Sequence, residues 1–354
     1  MQIFVPHKKD KNIYLDGVIA YSSNEYVFGH FSEYKESYRI VNIQFPEAIF
    51  RWSAPSEEEL IHFEKEILKW KRKSKIVYCM NDFESHFDKK KKFKKLFELI
   101  HRYSDLVIHL GFFSLQKYKG NFSDDCMQRV VKHPLYISLL DNFEIKNIQN
   151  LLPYNLSDKF IISVPGNMRS KNEFEFVLGI FEKLPMPNKF LIIPRMSKLV
   201  NVPDVLPYRF RKIYRDIMWA FYERRYLRVF RGQYYFMNNF LDYSFLTDLI
   251  QKSSLLIIPR IKNLNSGNLF LGLTFDKLMI APSVGNLTEH INDFRLPVIN
   301  HEVDSFDKIV SLVLESDFLN YSKTEEYKIK KDELHPKVIS QQYDNIYQEV
   351  LNLI

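Results

Sequence analysis

The chain has 354 residues, 46% of them hydrophobic and 26% charged, a balance that suits a globular protein with one or two sizeable cores and excludes a disordered or fibrous chain. Fifty Lys and Arg against 43 Asp and Glu leave a formal charge of +7, which favours anionic partners: phosphorylated substrates, nucleic acid or an acidic membrane surface. The two cysteines, Cys79 and Cys126, form no CxxC and no metal-type spacing, so structural thiols in a reducing compartment are expected.

The opening MQIFVPHKKDK turns charged after six residues, unlike a signal peptide, and no window nears the roughly 18 apolar residues of a spanning helix. A cytoplasmic protein is expected, at most peripheral to the inner face of the cell membrane. Strands are then expected at 3–6 (IFVP), 38–45 (YRIVNIQF), 75–80 (KIVYCM), 105–110 (DLVIHL) and 129–134 (RVVKHP). Between them, residues 55–73 read as a helix. Ser56 and Glu59 make a capping box, with acidic residues in the first turn and basic ones in the last. Residues 89–104 (KKKKFKKLFELIHRYS) form the next helix.

A polar, proline-bearing stretch at 147–159 interrupts the rhythm, which then resumes. Strands are expected at 160–166, 189–194, 254–260, 278–282 and 297–300, with helices at 172–184, 241–253, 305–316 and 337–354. Two series of alternating strands and helices mean an α/β protein of two Rossmann-like domains with mainly parallel sheets facing a central cleft. The boundaries are set at 1–150, 151–336 and a terminal helix, 337–354, that can cross back to the first domain. Ligands of parallel sheets bind beyond the carboxyl ends of strands. That directs attention to the residues after Phe45, Met80, Val164, Ile193, Ile258 and Ala281.

Residues 265–290, NSGNLFLGLTFDKLMIAPSVGNLTEH, read as a short helix, a strand and a loop ending in Glu289. At the helix start, the N–H groups of Gly267, Asn268 and Leu269 lack intrahelical acceptors and carry the positive end of the dipole, which suits a phosphate. Gly267 lets a ligand approach the backbone, while Ser266 reads equally as an ordinary N-cap. A second stretch, SVPGNMRSKNEF, leaves a strand through Gly166 and presents Arg169 and Lys171 before a helix. Together these describe a diphosphate site on the cleft face of the second domain.

These residues resemble the donor-binding domain of GT-B glycosyltransferases, of the family 4-like type found in bacterial capsular and surface polysaccharide synthesis. Ser266, Gly267, Gly285 and Glu289 match that pattern, as do Gly166, Arg169 and Lys171, and SLLIIPR, ending at Arg260, resembles the strand before the donor loop. In the first half, VNIQFPEAIFRW, CMNDFESHF, DLVIHLGFFS and KHPLY resemble strings of the same enzymes, so the likeness runs over nearly the whole chain. Departures stand beside the matches. Leu271 and Asn263 occupy the places of two glutamates, Asp276-Lys277-Leu278 replaces a Gly-x-Pro, Gln44-Phe45 replaces His-Trp, and Met80 replaces a histidine.

The resemblance implies transfer of a sugar from a UDP- or GDP-sugar to a glycan or polyprenyl-diphosphate-linked acceptor. The donor would be held by Gly166, Arg169, Lys171, Arg260, Asn263, Ser266, Gly267, Asn268, Leu269 and Glu289. No metal or other cofactor is required by this reading, because the helix start, Arg169 and Lys171 supply the charge for the leaving diphosphate. Candidates for the base are His86, Glu47 and Asp82, each following a first-domain strand. Loss of the paired glutamates keeps a catalytically silent GT-B partner protein open as an alternative. A basic, anion- or membrane-binding protein is another. Basic stretches at 69–75, 89–95 and 208–231 bear on it, the last with Phe210, Ile213, Ile217 and Phe221 at helical spacing. No nucleic-acid-binding motif is present, and no nucleic acid is expected as a partner.

Overall fold

The computed structural model describes residues 1–85, 91–141, 144–203, 205–237 and 241–352. Thirteen strands follow in chain order: β1 Gln2–Val5, β2 Glu25–Phe28, β3 Ile40–Ile43, β4 Lys75–Met80, β5 Leu106–His109, β6 Met127–Val130, β7 Phe160–Ser163, β8 Asn167–Met168, β9 Lys189–Ile193, β10 Arg195–Met196, β11 Tyr234–Phe236, β12 Leu255–Ile257 and β13 Met279–Ile280. Six of them form one sheet in the order β2-β1-β3-β4-β5-β6, and five form another, β11-β9-β7-β12-β13. Every pairing in both sheets is parallel. A small ribbon of β8 and β10 stands at the ends of β7 and β9.

Parallel strands are covered on both faces, so their side chains are mainly apolar and divide by parity. In the first sheet Phe4, Val41, Ile43, Ile76, Tyr78 and Val107 face one core. Their neighbours Ile3, Ile40, Val77, Cys79, Leu106 and Ile108 face the other. That second core is closed by the terminal helix, Pro336–Leu351, through Ile339, Tyr343, Tyr347 and Val350. Buried hydroxyls pair there: Tyr14 with Tyr343 at 2.6 Å, and Asn42 Nδ2 donates to Tyr347 at 2.9 Å.

The Glu57–Trp70 helix carries the capping box expected from Ser56 and Glu59. Other expectations shift. Residues 297–300 form no strand and contribute one bridge, Pro282 to Ile299. The run expected as a strand at 129–134 pairs instead at 127–130. Strands β2 and β11 and the helices Ile13–Ile19 and Phe112–Tyr118 were not expected. Both strands are short edges, where little apolar pattern is needed. The segment read as a loop ending in Glu289 is a helix, Leu287–Asp293, with Glu289 in its first turn.

Candidate functional site

The second sheet reverses direction at β7: β9 and β11 follow on one side, β12 and β13 on the other. Such a switch point opens a crevice at the carboxyl ends of the strands. Pro165 and Gly166 leave β7 there, Pro194 and Arg195 leave β9, and Arg260 follows β12. The crevice holds a cavity of about 270 Å³ lined by Gly166, Asn167, Arg169, Arg195, Arg260, Asn268 and, at the far wall, Tyr243.

Gly166 is fixed by contact: a Cβ there would collide with Asn268 Nδ2 and lie 2.7 Å from Arg260 Nη2. Asn268, in the first turn of the Gly267–Thr274 helix, thus leans across the chain leaving β7. Arg260 is 2% exposed. Its Nη1 donates to Glu173 Oε1 at 2.8 Å and its Nη2 to the Asn167 carbonyl at 2.8 Å. The other Glu173 oxygen accepts from the Arg169 N–H at 2.7 Å. Arg260 therefore braces the loop against the Lys171–Lys183 helix more than it offers free charge.

Arg169 and Arg195 supply the cavity's positive potential. Lost hydration inside the crevice, then the neighbouring charge of Arg260, lower the Arg169 guanidinium to about 10, against the pull of Glu173 and Asp82. It remains protonated at neutral pH, and its side chain reaches solvent. Three guanidinia held around so small a space, with one paired carboxylate among them, form an anion-binding arrangement.

The Gly267–Thr274 helix adds to it. Among the described residues, the N–H groups of Gly267 and Asn268 donate to no protein acceptor. The third expected donor, Leu269, is engaged by the Ser266 carbonyl at 3.1 Å, and its side chain is in the core. Ser266 occupies the N-cap position without a side-chain capping bond. The space that Gly267 leaves is taken by the Tyr136 hydroxyl, so the glycine admits protein from the first half of the chain rather than a ligand. Asn263 supports the next loop: its carbonyl and that of Leu264 press on Gly285, whose φ of +55° and crowding exclude a side chain.

Lys171 and Glu289, also expected at the donor, do not line the cavity either. Lys171 opens the Lys171–Lys183 helix, is largely exposed and pairs with Glu175 at 3.2 Å. That helix's start is also capped, Ser170 Oγ accepting from the Glu173 N–H at 3.2 Å. Glu289 reaches the first domain, where its carboxylate accepts the N–H groups of Phe112 (3.0 Å) and Phe113 (2.5 Å). Beside it Asn286 accepts from the Ser114 N–H at 2.9 Å and donates to Asn265 at 2.8 Å.

On the first domain, β3 and β4 end opposite this crevice. Asn265 Nδ2 donates to the Asn81 carbonyl at 2.6 Å, joining the two loops. The next residue, Asp82, is close enough that its charge acts on Arg169. Glu47, in the short Pro46–Ile49 helix, is buried and lines a recess of about 230 Å³ with Trp52, Ser85 and Phe93. A larger cavity of about 580 Å³ adjoins it, walled by Phe83, Phe93, Phe97 and His101. Burial lowers His101 to about 4, so it is neutral at pH 7. His86 lies outside the described residues. Among the described residues no three His, Cys, Asp or Glu side chains gather as metal ligands, and no helix is long and apolar enough to cross a membrane.

Sequence reasoning missed Arg195, Asn167 and Tyr243. The signal for Arg195 was present, since it stands directly after the carboxyl end of β9 and a proline. Tyr243 carried none, because its wall is assembled by packing between distant segments.

No protein-family model and no curated protein sequence matches the chain. Solved structures do. HepE of Anabaena in complex with UDP-glucose superposes with a TM-score of 0.69 at 11% identity, over 99% of this chain and 100% of its own. Sucrose-phosphate synthase of Thermosynechococcus elongatus gives 0.66 at 10% identity over 99% of both chains. A trehalose-6-phosphate protein of E. coli bound with UDP-2-fluoro glucose gives 0.62 at 10% over the whole of both. At these identities the likeness is one of fold: the chain has the GT-B architecture expected from its sequence.

Proposed function

We propose that the protein transfers a sugar from a UDP- or GDP-sugar bound at the second-sheet crevice to a hydroxyl held by the first domain. The observation that carries this reading is the convergence of Gly166, Arg169, Arg195, Arg260 and Asn268 on one cavity at the switch point. The complexes of HepE with UDP-glucose and of the E. coli protein with UDP-2-fluoro glucose support it. In the reaction, the bond between the sugar's anomeric carbon and the terminal phosphate oxygen breaks, and the nucleoside diphosphate leaves with the electron pair. Arg169, Arg195 and the N–H groups of Gly267 and Asn268 stabilise the charge that develops on it. The acceptor oxygen forms the new bond, and its proton passes to a base of the first domain. Asp82, whose charge acts on Arg169, is the first candidate; Glu47 and His86 are the others.

The finer reading keeps a family 4-like enzyme of bacterial surface polysaccharide synthesis, acting without a required metal on a glycan or lipid-linked glycan. Calorimetric titration with UDP, GDP and CMP, without and then with Mg²⁺, tests it. Saturable binding of one nucleotide without metal is expected; no binding of any of the three would overturn it. One observation favours a second reading, a silent partner protein. Leu271 is 5% exposed and packed in the core, so no carboxylate replaces the glutamate of the resembling enzymes at that position. Nucleotide binding with no hydrolysis or transfer across a panel of sugars and acceptors would select it.

A further inference from the structure

The Tyr208–Tyr226 helix packs on the second domain by one face. Trp219 and Tyr222 lie with their ring centroids 6.0 and 6.2 Å from Phe174, on the Lys171–Lys183 helix whose approach lines the crevice. Trp219 is 8% exposed. The opposite face is apolar and turned to solvent: Phe210 is 46% exposed, Ile213 56%, Ile217 63% and Phe221 59%. At about 100° per residue these four fall within an arc of roughly 80°, centred nearly opposite Trp219. An ordinary surface helix has the reverse polarity. Single exposed apolar residues are common, but a continuous stripe along one helix marks a contact surface.

Charge identifies what covers it. The helix carries six Lys and Arg against two acids, Asp216 and Glu223. Both acids are held by the protein, Asp216 by Lys198 at 2.9 Å and Glu223 by the Tyr234 hydroxyl at 3.0 Å. Arg209 and Arg225 stand exposed on either side of the stripe, and exposed Arg224 ends it at the last turn of the helix. A solvent-facing apolar ridge flanked by guanidinia, with its acids paired within the protein, complements the headgroup and acyl boundary of an anionic bilayer.

We propose that the Tyr208–Tyr226 helix docks the protein on an anionic membrane surface, lying in the plane of the interface. This surface goes beyond the sugar-transfer reading and does not depend on it. The docked helix is one helix away from the crevice, so the candidate site would work close to the bilayer.

The test is flotation of the full chain with phosphatidylcholine vesicles, with and without about one-third phosphatidylglycerol, at low and high salt. Binding to the anionic vesicles alone, weakening with salt, is expected. Ile217→Asp/Phe221→Asp should lower the bound fraction roughly tenfold or more, and Arg224→Gln/Arg225→Gln should weaken it by about as much at low salt. All four side chains are exposed, so melting temperature should not change. Absence of binding to anionic vesicles overturns the proposal, as does binding that both double variants retain. A parent dimer that Ile217→Asp/Phe221→Asp turns into a monomer without touching vesicle binding would assign the stripe to a second copy of the chain. Vesicle binding lost only with the arginines, and matched by binding to heparin, would assign it to soluble polyanions.

Discussion

The Gly267–Thr274 and Leu287–Asp293 helices follow neighbouring strands of one sheet, β12 and β13, through loops that hold asparagine, with a glycine at or just before each helix start. At the first, the N–H groups of Gly267 and Asn268 have no protein acceptor among the described residues, and Asn268 lines the arginine-walled crevice. At the second, Asn286 and Glu289 turn outward and cap the Phe112–Tyr118 helix of the other domain. The local pattern is the same. What differs is the matter placed opposite: a cavity in one case, three helix-start backbone N–H groups in the other. A helix start meets a ligand only where the fold leaves a space in front of it.

The largest effect should come from the brace behind the first helix. Glu173 and Arg260 are both nearly fully buried and bonded at 2.8 Å. Glu173→Ala leaves a buried guanidinium without its partner, which should lower unfolding free energy by about 3–5 kcal/mol in a urea titration. A loss below about 1 kcal/mol would mean that water replaces the carboxylate and the loop is not braced. Next comes Arg169→Ala, which removes charge-assisted bonds to the diphosphate worth about 1.5–3 kcal/mol. Nucleotide affinity should fall roughly tenfold to a hundredfold in calorimetry, with the urea midpoint unchanged.

Acid should loosen the packing beside the crevice. His133 stacks on Phe270 at 4.3 Å and His290 meets the same ring edge-on at 4.7 Å. Burial holds His133 at about 3 and His290 at about 4, with His290 also depressing His133 and Lys132 depressing His290. Both are neutral in the folded chain at pH 7, whereas the unfolded chain takes up protons near pH 6.5. The contribution of the two rings is therefore constant above about 7, falls from about 6.5 down to about 4 for His290 and about 3 for His133, and levels below that. Each ring should account for roughly 2 kcal/mol lost by pH 5. A stability profile flat from pH 7 to 5 would contradict it, and His290→Leu should make the slope shallower.

The architecture was legible because both sheets are parallel and buried on both faces. Their strands read as apolar runs such as KIVYCM and KFLII whatever the tertiary detail. Edge strand β2 was not, since Glu25–Phe28 buries little. At the site, Gly166, Arg169, Arg260 and Asn268 stand within three residues of strand or helix ends, where local reading suffices. The contacts that decide what Gly267 and Glu289 touch come from Tyr136 and Phe112–Phe113, more than a hundred residues away in the chain. No spacing rule reports such a partner.

Glu289 itself can be assigned by a modest variant. Glu289→Ala removes the acceptor for two helix-start N–H groups, so about 1 kcal/mol of stability should be lost, the usual weight of a cap. Nucleotide affinity should stay within about twofold of the parent. An unchanged melting curve with weakened UDP binding would instead return this carboxylate to the donor.

The smallest effect sharpens the comparison most. Lys171 sits two residues from Arg169 and has the same charge, so the sequence treats the two as one phosphate-directed pair. The structure separates them. Arg169 lines the crevice and is partly stripped of water there, whereas Lys171 is about 60% exposed and shares an i,i+4 pair with Glu175. Exposed pairs of this kind contribute only about 0.3–0.5 kcal/mol, and solvent screens the charge from a ligand in the crevice. Lys171→Ala should therefore leave nucleotide affinity within about twofold and stability within about 0.5 kcal/mol. If it instead weakens binding as much as Arg169→Ala, the lysine must swing inward when the nucleotide arrives. The anion site would then be completed by the first turn of the Lys171–Lys183 helix as well as by the start of the Gly267–Thr274 helix.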